Sequence, residues 1–374
     1  MKETLLIVAD SERDANMLYA VGMFVPDPFI YLNCGGRPFI VMSDLEIDRA
    51  RAQAPHCRVL SLSAYQRKLR AAGIKKPGFS QIIRRILREQ KIRRALVPEN
   101  FPFGLARDLK KLGIKLKPRA GIFPQREIKS ADEVKKISAA LAMAEVGMAE
   151  GMEVLRRAKI SRDRKLIYHG VPLTAERLRA VIDCAILQAN GLAANTIVAG
   201  GRQACDPHER GHGPLRAHEP IVIDIFPRSQ KTGYFGDITR TVVRGRASEA
   251  VRKLYDTVGE GQKIAFEKIR ARVKTADVHK AVQKFFVQQG YKTGRRNGRM
   301  EGFFHGTGHG LGLEIHEAPR VSAGSTEILR PGHVVTVEPG LYYPGLGGVR
   351  LEDVALVTAN GARNLTRFEK VLEI

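Results

Sequence analysis

No apolar run in the sequence approaches the roughly 20 residues that a membrane-spanning helix needs, which excludes a helical membrane span. At the amino terminus, Thr4-Leu5-Leu6-Ile7-Val8-Ala9 gives way to Asp10. That run falls short of the ~7–15-residue apolar core of a signal peptide and reads as a first β-strand. Cysteine is scarce: Cys34, Cys57, Cys184 and Cys205 lie far apart and form no CxxC pair. Reduced thiols and a cytoplasmic location are expected. Short-period repeats and low-complexity tracts are missing. Acidic residues are also few, 39 against 62 Lys plus Arg, for a net charge of +23. Much of the excess lies in residues 67–119, with 17 basic and three acidic side chains. Such a field can attract nucleic acid or an anionic surface. The stretch has neither interleaved aromatics nor a nucleic-acid motif, so a solvated basic face is expected, with no specific nucleic acid and no membrane as partner.

A chain of 374 residues exceeds what one hydrophobic core usually organises and points to two domains. Residues 1–125 alternate short strand and helix signals, the pattern of an α/β layer. Strands are expected at 5–8, 39–42, 58–62 and 95–98, and a helix at 80–92 with Ile82, Ile83, Ile86 and Leu87 on one face. Gly121-Ile122-Phe123-Pro124 breaks the pattern, and Ser130-Ala131-Asp132-Glu133 is a capping box opening a helix toward Met152. Beyond about Asn190 come strands at 196–199, 220–226, 238–243, 334–339 and 349–357, interrupted by amphipathic helices at 248–272 and 276–289. An antiparallel sheet covered by helices on one side accounts for this order.

Carboxylates recur on the apolar strands. Asp224 sits within Ile221-Val222-Ile223-Asp224-Ile225-Phe226, where a lone charge is costly to bury unless a cation meets it. Asp237 follows thirteen residues later, with Gly233 and Gly236 between, and a hairpin would set the two aspartates together. Glu338 follows Val334-Val335-Thr336-Val337; Glu352 lies in Val349-Arg350-Leu351-Glu352-Asp353-Val354, with Arg350 expected on the same strand face. Four converging carboxylates would repel and protonate unless two divalent cations balanced them. Histidines recur as well. His305, His309 and His316 stand at spacings of four and seven; the first two would share a strand face, and Gly310 and Gly312 would let the chain bend to bring in His316. His208, in a glycine- and proline-containing loop, is a fourth candidate.

In order and in local sequence these residues resemble the pita-bread metallopeptidase family, which includes methionine aminopeptidases, aminopeptidase P, prolidase and creatinase. The resemblance runs through Gly306-Thr307-Gly308-His309-Gly310, Ile315-His316-Glu317, Val337-Glu338-Pro339-Gly340-Leu341-Tyr342 and Gly348-Val349-Arg350-Leu351-Glu352-Asp353. It is strong over residues 195–357, weaker over the helices from Ser130, and architectural in the first domain. It implies an α+β fold: a pita-bread catalytic domain over 126–374, a curved antiparallel sheet covered by helices, after a smaller α/β creatinase-like domain over 1–125. It further implies that Asp224, Asp237, His309, Glu338 and Glu352 bind two divalent metal ions, Asp237 and Glu352 bridging them. A hydroxide between the metals would be the nucleophile and Glu338 would shuttle its proton. His316 would stabilise the tetrahedral intermediate, His208 would contact substrate, and Arg350 would orient the carboxylates. His305 is either a pocket member or a donor behind the pocket. Hard oxygen ligands with one imidazole favour Mn, with Co, Zn and Fe as other occupants. His212, His218, His279 and His333 fall outside the pattern and are expected to be structural or exposed, and Cys205 is given no chemistry.

Two departures concern the hairpin. Phe226 stands where the family usually has glycine two residues after its first aspartate, and the spacing of Asp224 to Asp237 is longer than usual. A separate first domain distinguishes the chain from methionine aminopeptidases, and the full ligand set distinguishes it from creatinase, which works without metal. The implied activity is hydrolysis of the bond before proline, as an Xaa-Pro aminopeptidase or Xaa-Pro dipeptidase, on peptides with proline in second position. A homodimer paired through the first domain is implied too. The alternatives are a methionine aminopeptidase-like enzyme and a pita-bread relative that has lost catalysis and binds protein or nucleic acid.

Overall fold

A computed structural model describes residues 3–374, which separate into two units, one ending at Pro124 and the other spanning Gln125–Ile374. In the first, six strands lie in the order Arg58–Ser61, Arg37–Met42, Phe29–Cys34, Thr4–Ala9, Arg94–Pro98, Lys115–Arg119. Phe29–Cys34 is antiparallel to both neighbours, and the other pairs are parallel. Alternation at period two divides the central strands between two cores. Leu6, Val8, Ile30 and Leu32 meet Ile82, Ile83, Ile86 and Leu87 of the helix Phe79–Glu89. On the other face, Ile7, Tyr31, Ile40 and Met42 meet Met17 and Val21 of the helix Ala15–Val21.

Two strands of this sheet were not expected. Phe29–Cys34 turns into its partner through Gly35 and Gly36, whose φ of 64° and 91° suit a two-residue hairpin. Lys115–Arg119 is largely exposed and lies at the sheet edge, so it carries charge and a proline instead of an apolar alternation.

The second unit opens on the capping box. Ser130 Oγ accepts from Glu133 N at 3.3 Å, and Glu133 Oε2 accepts from Ser130 N at 2.9 Å. The helix Ala131–Arg157 runs past Met152 and packs on Ala175–Gln188. Gly147 permits that approach, because a Cβ there would meet Ile186 Cγ1 at 2.8 Å. Two antiparallel sheets follow. One orders Ile197–Gly200, Ile221–Ile225 and Ile238–Val242; the other orders Glu317–Val321, Gly308–Gly310, Val334–Val337, Asp353–Val357 and Ala362–Asn364. They meet where Thr239 pairs with Glu352. The helices Glu249–Lys268 and Thr275–Gln288 cover the second sheet, Leu254, Val258, Val282 and Phe286 packing with Val335, Val337, Leu351 and Ala355. Buried Gln262 donates to Val337 O at 2.9 Å and Leu351 O at 3.1 Å, satisfying carbonyls just before Glu338 and Glu352.

Residues 349–357, expected as one strand, form parts of two. Gly347–Arg350 pairs with Gly340–Tyr343, whereas Asp353–Val357 pairs with Val334–Val337. At the change of partner Glu352 N donates to Thr239 O at 3.1 Å. Arg350 and Glu352 therefore do not share a strand face. The strand of His309 spans only Gly308–Gly310, so His305 also lies outside it.

Candidate metal centre

The end of each sheet contributes acidic or imidazole side chains to one cavity of about 610 Å³. Asp224, within Ile221–Ile225, sits opposite Thr239, and Asp237 immediately precedes Ile238–Val242. The two aspartates are thus brought together with a diagonal offset. His309 occupies the centre of Gly308–Gly310, where the chain runs close to Thr336: a Cβ at Gly308 would meet Thr336 O at 1.9 Å. Glu338 follows Val334–Val337, and Glu352 comes from the crossing between strands. These five side chains line the cavity together with His208, His305, His316 and Arg350, and so does Phe226.

Within this set the tightest group is Asp237, His309 and Glu352, each offering a ligand atom within 4.8 Å of the others. Glu338 joins through its Oε1, 3.3 Å from His309 Nε2; Asp237 Oδ2 lies 3.7 Å from the same nitrogen. Asp224 is held through Oδ2, which accepts from Arg350 Nη2 at 2.7 Å, while its Oδ1 is buried with no partner. Thr239 Oγ1 donates to Glu352 Oε2 at 2.8 Å.

The electrostatics call for a cation. Burial, then the carboxylates of Glu352, Asp224 and Glu338, push Asp237 well above the ordinary carboxyl range. Burial, then Glu338 and Asp224, do the same to Glu352. Burial pushes Glu338 up to about 7 against the opposing pull of Arg350. Buried like charges need either protons or metal. Burial, then His316, lowers His309 to about 3, so its imidazole is neutral. Its Nδ1 lies 3.1 Å from Gly310 O, an acceptor only, and must carry the hydrogen. The Nε2 lone pair then faces Asp237 and Glu338, the arrangement of a metal-binding histidine. Hard oxygens, one correctly turned imidazole and the orphaned Asp224 Oδ1 fit divalent ions.

Around this set lies a layer of which the sequence offered Arg350 and His305 but not the residue between them. Tyr342, fully buried, accepts from Arg350 Nη1 at 3.1 Å and donates to His305 Nε2 at 2.8 Å. His305 Nδ1 in turn donates to Gly306 O at 2.8 Å, so both ring nitrogens are occupied. Burial first, and Arg350 next, lower His305 to about 3, consistent with a neutral ring receiving the tyrosine hydrogen. Tyr342 fell within a segment singled out above, but only the hairpin Gly340–Tyr343 with Gly347–Arg350 shows what it touches. Arg320 was also overlooked. It pairs opposite His309 across the strands, lines the cavity, and its guanidinium makes no hydrogen bond among the described residues. Its signal was positional: opposite residues on paired strands share a face.

His316 and His208 line the cavity and are exposed to it, the ring of His316 standing edge-on to that of His309 at 4.4 Å. The ladder of Gly308–Gly310 slips between His309 and Gly310, and this bend brings His316 in. The remaining histidines lie elsewhere. His279 is buried against Phe303 with Nδ1 3.0 Å from Thr307 Oγ1, and His333 Nδ1 accepts from Arg330 N at 3.2 Å. His218 Nδ1 lies 3.1 Å from Arg246 N, and His212 is near Glu209 at the surface. Burial pushes the Cys205 thiol up to about 11, far from a ready nucleophile.

A cavity lined by buried carboxylates around a neutral imidazole has the donor set of a divalent-metal protein. Comparison with known proteins gives the class its family. The model of metallopeptidase family M24 matches residues 135–359, more than half of the chain. An Xaa-Pro dipeptidase of Pyrococcus horikoshii is 33% identical over 283 residues, 74% of this chain and 74% of that protein. The structure of prolidase from Pyrococcus furiosus is similar at TM-score 0.78 and 25% identity, covering 98% of this chain and 97% of the other. X-Pro aminopeptidase from Thermotoga maritima shares the fold at TM-score 0.82 and 22% identity, over 99% and 97%. The chain belongs to metallopeptidase family M24. It is a peptidase with the α+β pita-bread architecture that its sequence implied, of a family that works with divalent metal ions.

Proposed function

We propose that the protein hydrolyses the peptide bond preceding proline and that Xaa-Pro dipeptides are its substrates. The observation that carries this reading is the buried set Asp237, His309 and Glu352, flanked by Asp224 and Glu338, in a chain similar to an Xaa-Pro dipeptidase. Asp224, Asp237, His309, Glu338 and Glu352 would hold two divalent ions, Mn being favoured by the mostly oxygen donors. Bound there, the ions supply Lewis acidity toward the scissile carbonyl and make a water acidic enough to attack. Glu338 takes the proton of that water on a carboxylate oxygen and passes it to the leaving amine. His316 donates to the developing oxyanion, and His208 contacts the substrate from the loop opposite. Arg350, clamped between Asp224 and Tyr342, keeps the carboxylates aimed, and His305 steadies Tyr342.

Arg320 favours a dipeptidase over an aminopeptidase for longer chains. An unpaired guanidinium in the cavity suits the free carboxylate of a dipeptide, which a tripeptide places one residue further on. Cytoplasmic location, a homodimer and a solvated basic face at 67–119 that holds no specific nucleic acid belong to the same reading. Among the described residues no helix is long and apolar enough to cross a membrane. A panel of Xaa-Pro dipeptides, Xaa-Pro-Yaa tripeptides and Met-initiated peptides, supplied with Mn, tests it. Dipeptides should be cleaved fastest, and Arg320→Ala should raise their KM more than that of tripeptides. Faster cleavage of Met-Ala-Ser than of every proline substrate would overturn the assignment.

A further inference from the structure

His316 is exposed to the cavity, and its ring makes no hydrogen bond among the described residues. Most catalytic histidines are aimed by a partner on the second nitrogen. Here the backbone has to set the aim, and the next residue is the anchor. The Glu317 carboxylate is nearly buried, its side chain 6% exposed. Its Oε1 accepts from Leu313 N at 3.0 Å and Glu314 N at 3.1 Å, the loop that leads into His316. The same oxygen accepts from Arg126 Nη2, and Oε2 accepts from Lys129 Nζ at 2.9 Å. Lys129 is buried as deeply, its side chain 1% exposed, and its backbone N donates to Gly332 O at 2.8 Å. Burial alone would raise Glu317, yet the two cations outweigh it and hold the carboxyl below its ordinary range. Gly312 completes the fit: a Cβ there would meet Glu317 Oε2 at 2.6 Å. One further backbone bond, Phe235 N to Gly312 O at 2.8 Å, ties the start of the loop.

We propose that Glu317, held by Lys129 and Arg126, is the positioning residue for His316. Its carboxylate fixes the loop at residues 312–316 and thereby the distance of the imidazole from the reacting carbonyl. None of these three residues lines the cavity, so any effect on turnover is indirect, and His316 is the cavity residue next to Glu317 in the chain. A buried ion pair is weak evidence of a contribution to stability, and a role in fixing one conformation accounts better for its burial here.

The inference rests on the role assigned to His316 above, and the test separates the two. Glu317→Gln keeps the shape and removes the charge. In metal-loaded enzyme its kcat on an Xaa-Pro dipeptide should fall roughly 10- to 100-fold, with KM and metal content little changed. Amide hydrogen exchange over residues 312–316 should quicken, a reading that needs no substrate. In a His316→Ala background, Glu317→Gln should cost nothing further in kcat. Lys129→Gln carries the same readings should Glu317→Gln not fold. An undiminished loss in the His316→Ala background, loss of metal, or unchanged exchange would each overturn the proposal. Wild-type protein inert on every Xaa-Pro peptide would instead sink the activity reading, while the exchange measurement still judged the clamp.

Discussion

At the scale of single residues, the division between holding metal and handling the reaction is open to direct test. His309 presents a neutral Nε2 to Asp237 and Glu338, so His309→Ala should lose metal and activity together. His316 faces the cavity without a carboxylate bond. His316→Ala should keep its metal and lose on the order of 100- to 1,000-fold in kcat, the usual cost of one oxyanion donor. Elemental analysis beside kinetics decides it: equal metal loss in both variants would refute the division. The candidate ligands were legible from residue type: an aspartate in the apolar run Ile221 to Phe226 is costly to bury unless something cationic meets it, and Arg350 does so here. The relay from Arg350 through Tyr342 to His305 was not legible, since it depends on contacts across a hairpin and not on any spacing.

The same residues set a dependence on pH. Glu338, raised to about 7 without metal, has an ordinary value of 4.5. In metal-free protein such a carboxyl contributes stability that is present below its unfolded value and is lost as pH rises through about 7. Metal bound there would supply the missing charge and have to displace that proton, whereas His309, at about 3, has none to give up near neutrality. The gain in Tm on adding Mn to chelated protein should therefore grow between pH 5 and about pH 7. A gain that is constant, or larger at pH 5, would contradict the carboxylate assignment.

At the scale of elements, backbone proximity does what side-chain patterns cannot announce. Gly308 lies against Thr336 O, and any side chain there must force apart the two strands that carry His309 and Glu338. Gly308→Ala should cost about 1–3 kcal/mol in denaturant unfolding and lower metal occupancy as well. Unchanged stability would show that the strands yield. Strand existence was readable from apolar runs, but partner exchange was not. Residues 349–357 look continuous because both halves are apolar, and only pairing with Gly340–Tyr343 on one side and Val334–Val337 on the other divides them. That division puts Glu352 at the junction of the two sheets, opposite Thr239. The strand Lys115–Arg119 escaped notice for the opposite reason: an exposed edge need not alternate.

At the scale of the whole molecule, the charge of +23 and the deep cavity belong to different parts of the physics. Net charge governs solubility and non-specific association, not the chemistry of a site. The cavity reverses the sign locally, gathering Asp224, Asp237, Glu338 and Glu352 around one paired arginine. Four carboxylates so placed can all be ionised only with metal present and otherwise take up protons, which makes metal dependence and proline specificity a joint claim about one site. The measurement that bears on it most directly compares an Xaa-Pro dipeptide with the matched Xaa-Ala dipeptide, using chelated protein before and after Mn is restored. The account predicts no turnover of either by chelated protein, and on restoration rapid cleavage of the proline substrate with much slower cleavage of the alanine one. Cleavage that survives chelation, or an alanine dipeptide cut as fast as its proline counterpart, would contradict it.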